Sequence, residues 1–190
     1  MDERIFLTKE QLLTLEDHIR LSRHVERYAL LRQYCAGHVV DIACGSGYGS
    51  HLIATNPDVT HVTGVDLDAD AIAHAQRHFA GPRVTFQRAS VADFTCERAI
   101  DLVVSVETIE HLKDLSVFSA FLARNRVDRF IITYPSKKTT HYNRFHFHDL
   151  NVKQVKRLFA KYRLERQFNW EHEFDVCFFA RPRAARVRRR

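Results

Sequence analysis

Residues 39–50 read Val-Val-Asp-Ile-Ala-Cys-Gly-Ser-Gly-Tyr-Gly-Ser. An apolar run carrying Asp41 near its end turns through three alternating glycines and opens a helix at Tyr48. That order calls for a strand ending at a carboxylate, followed by a loop stripped of side chains. A flat, polar ligand can then approach the main chain and the helix N-terminus closely. Twenty-one residues after Gly45, a second apolar run, Val62-Thr63-Gly64-Val65, ends in Asp66. A carboxylate at that distance suits the diol of a nucleoside ribose, because it can accept both hydroxyl protons. The two features imply a cofactor of the adenosine type and leave open which one.

The rest of the chain supplies a frame for this loop. Residues 8–36 carry Leu12, Leu15, Ile19, Val25, Tyr28, Leu31 and Tyr34 at helical spacing. This predicts one or two amphipathic helices preceding the sheet, with Gly37 as their stop. Strands and helices then alternate: strand 38–42, helix 48–55, strand 60–65, helix 69–80 and strand 83–88. Strand 100–105 leads to a helical turn near 107–111 and a helix at 114–125. Strand 128–133, a polar histidine-rich loop at 134–149 and helix 151–160 follow. Strands 162–168 and 174–180 close the body, and their short link forces an antiparallel hairpin. The expected architecture is α/β: a seven-stranded, mostly parallel sheet with an antiparallel C-terminal hairpin and helices on both faces.

Charge and cysteine usage narrow the setting. The net charge of +6 is matched by six arginines within residues 181–190, which contain no acid. The body, a single domain over 1–180, is therefore neutral, and 181–190 reads as a disordered basic tail. Such a tail suits an anionic partner, a nucleic acid or a membrane surface, and equally a merely solubilising end. Cys35, Cys44, Cys96 and Cys177 lie far apart with no CxxC pair, which fits a reducing, cytoplasmic location. No apolar run is long enough to span a bilayer, and the N-terminus lacks a signal-peptide pattern.

A nicotinamide dinucleotide is the first rival for the loop. Its G-x-G-x-x-G pattern would need glycine where Ser50 stands, and Asp66 serves either cofactor. Asp41, the terminal hairpin and the lack of a substrate domain argue the other way. Asp41-Ile-Ala43-Cys-Gly45-Ser-Gly47-Tyr48-Gly49, Gly64-Val-Asp66-Leu67-Asp68 and Asp101-Leu-Val-Val-Ser105-Val-Glu107-Thr-Ile-Glu110-His111 occur in this order. They resemble three motifs of the class I S-adenosylmethionine-dependent methyltransferases, whose fold is Rossmann-like. The resemblance covers nearly the whole chain. It implies that Asp41, Ala43, Gly45, Gly47 and Tyr48 lie at the methionine end of the cofactor. Asp66 would hold the ribose and Leu67 would pack on the adenine. Where many members have an acid for the adenine amino group, this chain has Ser90, followed by Val91. Arg23-His-Val-Glu-Arg27-Tyr28 resembles the H-x-x-R-Y segment that lids the cofactor in bacterial members. That likeness implies that Arg27 pairs with the methionine carboxylate and that Tyr28 covers the site.

Methyl transfer needs the acceptor aligned and its proton removed. Glu107, Glu110 and His111 are spaced to share one face of a helical turn, where they could hold Mg²⁺ or Mn²⁺. The loop Asn143-Arg144-Phe145-His146-Phe147-His148-Asp149 can reach the same rim. The E-x-x-E-H sequence with a later histidine resembles the metal site of small-RNA 3′-terminal 2′-O-methyltransferases, with His146 as the fourth ligand. It equally resembles bacterial O-methyltransferases of sugars and quinone precursors. His146, His148 and His111 are the candidate bases. The leading expectation is O-methylation of a small-molecule or glycan hydroxyl. A metal-dependent RNA 2′-O-methyltransferase and a non-catalytic cofactor-binding scaffold are the alternatives.

Overall fold

The computed structural model describes residues 9–182. The expectations for the first eight residues and for most of the basic tail lie outside them. The elements are α1 (Lys9–Arg32), β1 (Gly37–Ile42), α2 (Tyr48–Ala54), β2 (Val59–Asp66), α3 (Ala69–Phe79), β3 (Val84–Arg88) and β4 (Leu102–Ser105). A 3₁₀ turn (Ile109–His111) precedes α4 (Ser116–Arg124), β5 (Arg129–Pro135), α5 (Val152–Leu158), β6 (Arg163–Trp170) and β7 (Phe174–Ala180). They form one seven-stranded sheet in the order β3-β2-β1-β4-β5-β7-β6. β1 to β5 pair in parallel, whereas β7 runs antiparallel between β5 and β6. The expected α/β sheet and its terminal hairpin are both present.

β1 lies between β2 and β4, so the loops that follow β1 and β4 leave the sheet in opposite directions. Open parallel sheets form their binding crevice at such a switch point. The central strands are buried on both faces, as in Val39, Val40, Val103 and Val104. One apolar layer gathers Leu31, Val62, Ile72 and Phe86; the other gathers Phe94, Phe118, Phe121, Phe130 and Phe159. Fully burying side chains of this size contributes about 1.5–3 kcal/mol each, so the sheet is a rigid base for its rim.

Two local expectations are corrected. Residues 9–32 form a single helix that ends at Arg32, and Gly37 does not stop it. Gly37 instead opens β1 at φ +70°, where a Cβ would lie 2.2 Å from the Asp101 carboxylate. That carboxylate accepts from the His38 N–H at 2.7 Å, so the missing side chain makes room for an acid clamp on the strand start. The segment 107–111 is not a continuous helical turn either. Glu107 adopts a left-handed φ of +50°, and only Ile109–His111 coil. Asp68, in the second motif, caps α3 by accepting from the N–H groups of Asp70 and Ala71 at 2.8 Å, a contribution of about 1 kcal/mol.

Candidate active site

Two clefts meet on the C-terminal rim of the sheet. The first, of about 290 Å³, is bounded by Ala43, Asp66, Leu67, Ser90, Val91, Thr108 and His111. The second, of about 330 Å³, is bounded by Arg27, Glu107, Glu110, His111, Lys137, Tyr142 and His146. His111 belongs to both walls. The first cleft is mostly apolar apart from Asp66, His111 and the Ser90 and Thr108 hydroxyls, and the second is charged.

The glycine loop is held from beneath. The Gly45 N–H donates to Asp66 Oδ2 at 2.8 Å, and the Asp68 N–H donates to Asp66 Oδ1 at 2.9 Å. Each oxygen keeps a second lone pair that could receive a ribose hydroxyl. Leu67 is 64% exposed beside it, an apolar face with no protein cover. A Cβ at Gly45 would meet nothing within 4 Å, so open space lies over the loop backbone. These residues fit a nucleoside cofactor. Ser90 is less free: its hydroxyl donates to the Asp93 carboxylate and accepts from the Asp93 N–H. Val91 lines the cleft beside it.

Asp41 lies behind the loop, fully buried. Its carboxyl oxygens accept from Tyr28 Oη at 3.2 Å and Ser50 Oγ at 2.6 Å. Burial pushes its pKa up to about 7 against the opposing effect of these hydrogen bonds. Tyr28 is itself buried, with its ring pressed on Gly49 and set edge-on to Tyr48 at 5.5 Å. A Cβ on Gly49 would come within 2.2–2.4 Å of the Tyr28 ring. Tyr28 thus bolts α1 to the loop from within the core. Burial raises the Tyr48 and Tyr28 pKa values as well.

In the charged cleft, Arg27 Nη2 lies 3.6 Å from Glu107 Oε2, and the guanidinium sits 4.8 Å over the Phe174 ring. Thr133 secures Glu107 twice. Its Oγ1 accepts from the Glu107 N–H at 3.0 Å and donates to Oε1 at 2.9 Å. The left-handed Glu107 and Ala43 (φ +62°) end neighbouring strands at the switch point. Such strain persists where surrounding contacts enforce it, commonly at functional sites.

Glu110 is 1% exposed, and neither carboxyl oxygen has a hydrogen-bond partner. Burial first, then the charge of Glu107, raises its pKa well above the ordinary carboxylate range. Glu110 offers an oxygen, and His111 and His146 each a ring nitrogen, all within 4.8 Å of one another. The His111 Nδ1–H donates to the Phe145 carbonyl at 3.0 Å, which leaves Nε2 with its lone pair in the neutral ring. His146 Nδ1 meets Thr139 Oγ1 at 2.6 Å, again leaving Nε2. Partners on the second nitrogen orient a histidine for ligation or proton transfer. An orphaned carboxyl and two aimed imidazoles fit a divalent ion. Glu107, expected in the same set, is committed to Arg27 and Thr133 and stands outside the three-residue cluster.

His148 Nε2–H donates to the Leu112 carbonyl at 2.9 Å, pinning the loop, and His148 does not line the charged cleft. Burial and the neighbouring His111 lower the His146 pKa. Asp149 accepts from Thr139 and Thr140, and these bonds hold its pKa down to about 2. Several supports escaped the sequence reading: Thr133, Thr139 and Glu173, which pairs with Arg23 and Lys137 at 3.6 and 3.1 Å. Ser50 had a signal, since it occupies the third glycine position of the dinucleotide pattern. Its hydroxyl is what Asp41 requires there.

A sequence-family description of methyltransferase domains matches residues 39–127, from β1 to the threshold of β5. A protein of Mycolicibacterium smegmatis described as a "probable S-adenosylmethionine-dependent methyltransferase" is 32% identical over 154 residues, 75% of this chain and 58% of the relative. The chain spans little more than half the length of such curated relatives. Among solved structures, the methyltransferase domain of bacterial CtHen1 superposes with a TM-score of 0.64 at 22% identity, covering 85% of this chain and 97% of that one. Magnesium protoporphyrin IX methyltransferase from Synechocystis, with bound S-adenosylhomocysteine, gives 0.67 at 16% identity, covering 94% and 90%. The likeness to these structures establishes the fold. In its motifs, its fold and these relatives, the chain is similar to the class I S-adenosylmethionine-dependent methyltransferases.

Proposed function

We propose that this chain transfers the methyl group of S-adenosylmethionine to a hydroxyl of a small molecule or glycan. One observation carries the reading: the apolar cleft beside Asp66 and the charged cleft share His111 as a wall. A single ligand can therefore lie with its nucleoside in one cleft and its reactive end facing the other. When bound, S-adenosylmethionine supplies an electrophilic methyl group for in-line displacement by the acceptor oxygen. Asp66 accepts the ribose hydroxyls, Leu67 and Val91 cover the base, and Gly45 leaves the backbone open. Arg27, anchored on Phe174 and Glu107, provides positive charge for an amino-acid carboxylate. His146, neutral near pH 7 and held by Thr139, accepts the acceptor's proton at Nε2.

A second reading rests on the unpartnered Glu110. There Glu110, His111 and His146 would hold Mg²⁺ or Mn²⁺, which would supply a Lewis acid to lower the pKa of the acceptor hydroxyl. The Nε2 lone pair of His146 can serve an ion or a proton, so the two readings are exclusive at that atom. A product screen with isotopically labelled cofactor and mass-spectrometric detection tests the function, using small hydroxyl compounds, glycans and small RNAs as acceptors. The expected result is a labelled product that His146→Ala abolishes. Chelation distinguishes the two versions. If S-adenosylhomocysteine binds but no acceptor is ever labelled, the chain is a scaffold and the proposal fails.

A further inference from the structure

Among the described residues, the large exposed apolar side chains gather at one end. Leu67, 64% exposed, directly follows the last residue of β2. Tyr142, Phe145 and Phe147 stand 70%, 59% and 45% exposed on the loop after β5. Leu21 and Val25, 61% and 45% exposed, lie on α1 before Tyr28. Tyr28 touches Asp41 near the end of β1, while α1 leads on toward the start of that strand. Residues preceding Tyr28 therefore stand beyond the rim, Leu21 by about 10 Å at the helical rise. Leu21 precedes Tyr28 by two turns on the same stripe, so that stripe of α1 continues past the rim with the Leu21 side chain largely exposed. No large hydrophobic among the described residues is comparably exposed at the opposite rim. Scattered exposed hydrophobics are ordinary, but their collection around one mouth marks an interaction surface.

Cations accompany these side chains. The Arg144 guanidinium lies 4.7 Å over Phe145, and Lys113 Nζ lies 5.7 Å from the Phe147 ring centre. The nearby acids are already engaged: Asp149 by Thr139 and Thr140, Asp114 by Ser116, and Glu173 by Arg23 and Lys137. Among the described residues neither Lys113 nor Arg144 forms an ion pair, so both can meet an external anion.

We propose that this rim docks on an anionic lipid surface, with the charged cleft facing it. Rings and aliphatic side chains enter the headgroup boundary while flanking cations meet anionic headgroups. A single-stranded nucleic acid could stack on Tyr142, Phe145 and Phe147. It offers no hydrocarbon for Leu21 and Val25, which is why the lipid surface is favoured. The acceptor is then lipid-borne and enters the cleft from below. That last clause rests on the methyl-transfer reading above; the docking does not.

The register of β5 with β7 sets Ala180 beside Arg129, at the strand-start end of the sheet. The test is flotation of the full chain with vesicles of phosphatidylcholine, alone or with about one-third phosphatidylglycerol. Wild type should float with the anionic vesicles and much less with the neutral ones. Leu21→Ser with Phe147→Ser should lower the bound-to-free ratio roughly tenfold or more, and Lys113→Gln roughly fivefold. Both should keep wild-type affinity for S-adenosylhomocysteine in calorimetry. The proposal is overturned if wild type ignores both vesicles or binds them equally, or if the rim variants float like wild type. Binding of short single-stranded RNA in place of vesicles would overturn it too, as would self-association that hides the rim. Loss of S-adenosylhomocysteine binding by wild type would count against the methyl-transfer reading alone.

Discussion

Replacing Asp41 by asparagine should make the protein's stability less dependent on pH, in a direction fixed by the burial of this carboxyl. Asp41 is fully buried and accepts from Tyr28 and Ser50, yet burial dominates and its pKa stands near 7 against a reference of 3.8. A folded-state pKa above the unfolded one means that the native state holds the proton more tightly. The stabilisation from the neutral carboxyl is complete below the unfolded pKa and is lost as pH rises through about 7. Between pH 5 and pH 8 the loss amounts to about 2–3 kcal/mol, at 1.36 kcal/mol per unit. Asparagine mimics the neutral acid: its amide can donate to one hydroxyl while its oxygen accepts from the other. Urea unfolding of both proteins at pH 5, 6, 7 and 8 gives the comparison. The variant should gain on wild type steadily up to pH 7, with most of the change above pH 5. A difference that is flat with pH, or that shrinks the variant's standing as pH rises, would refute the reasoning.

Other expectations follow from contacts already described. Gly49→Ala forces a Cβ against the Tyr28 ring, and overpacking of this kind costs about 1–3 kcal/mol. The Tm should fall by several degrees, and Tyr28→Leu in the same background should recover part of it. Glu110→Gln should weaken Mn²⁺ binding tenfold or more, followed by electron paramagnetic resonance, and wild-type affinity should rise with pH because the carboxyl must lose its proton to ligate. Equal Mn²⁺ binding by wild type and variant would remove Glu110 from any ion site. Thr139→Val should release His146 and lower kcat with little change in KM, whereas Thr139→Ser should restore it.

Much of this architecture was readable because local rules agree along the chain. Alternating apolar runs and helical stretches dictated the sheet, and the short link between the last two strands, three residues between β6 and β7, left no route but a hairpin. The position of Asp66 under the glycine loop was legible because it depends on one strand end and one short loop. The misreadings fall where tertiary contacts overrule sequence spacing. Glu107, Glu110 and His111 have helical spacing, but Thr133 on the neighbouring strand holds Glu107 in a left-handed conformation and breaks the turn. His146 joins Glu110 and His111 across the fold, guided by Thr139 and the Phe145 carbonyl, and no periodicity records that meeting. Gly37 looked like a helix stop because glycine at a positive φ serves both purposes. Only the Asp101 carboxylate packed beside it shows which one applies.

The central claim, that this rim binds the cofactor of methyl transfer through Asp66, is tested most directly by titrating S-adenosylhomocysteine into the protein in a calorimeter. The account predicts saturable one-to-one binding by wild type. It also predicts a loss of roughly thirtyfold or more in Asp66→Ala, since two hydroxyl bonds to a charged acceptor disappear. Wild type that binds no S-adenosylhomocysteine, or an Asp66→Ala variant that binds it as tightly as wild type, would contradict the account.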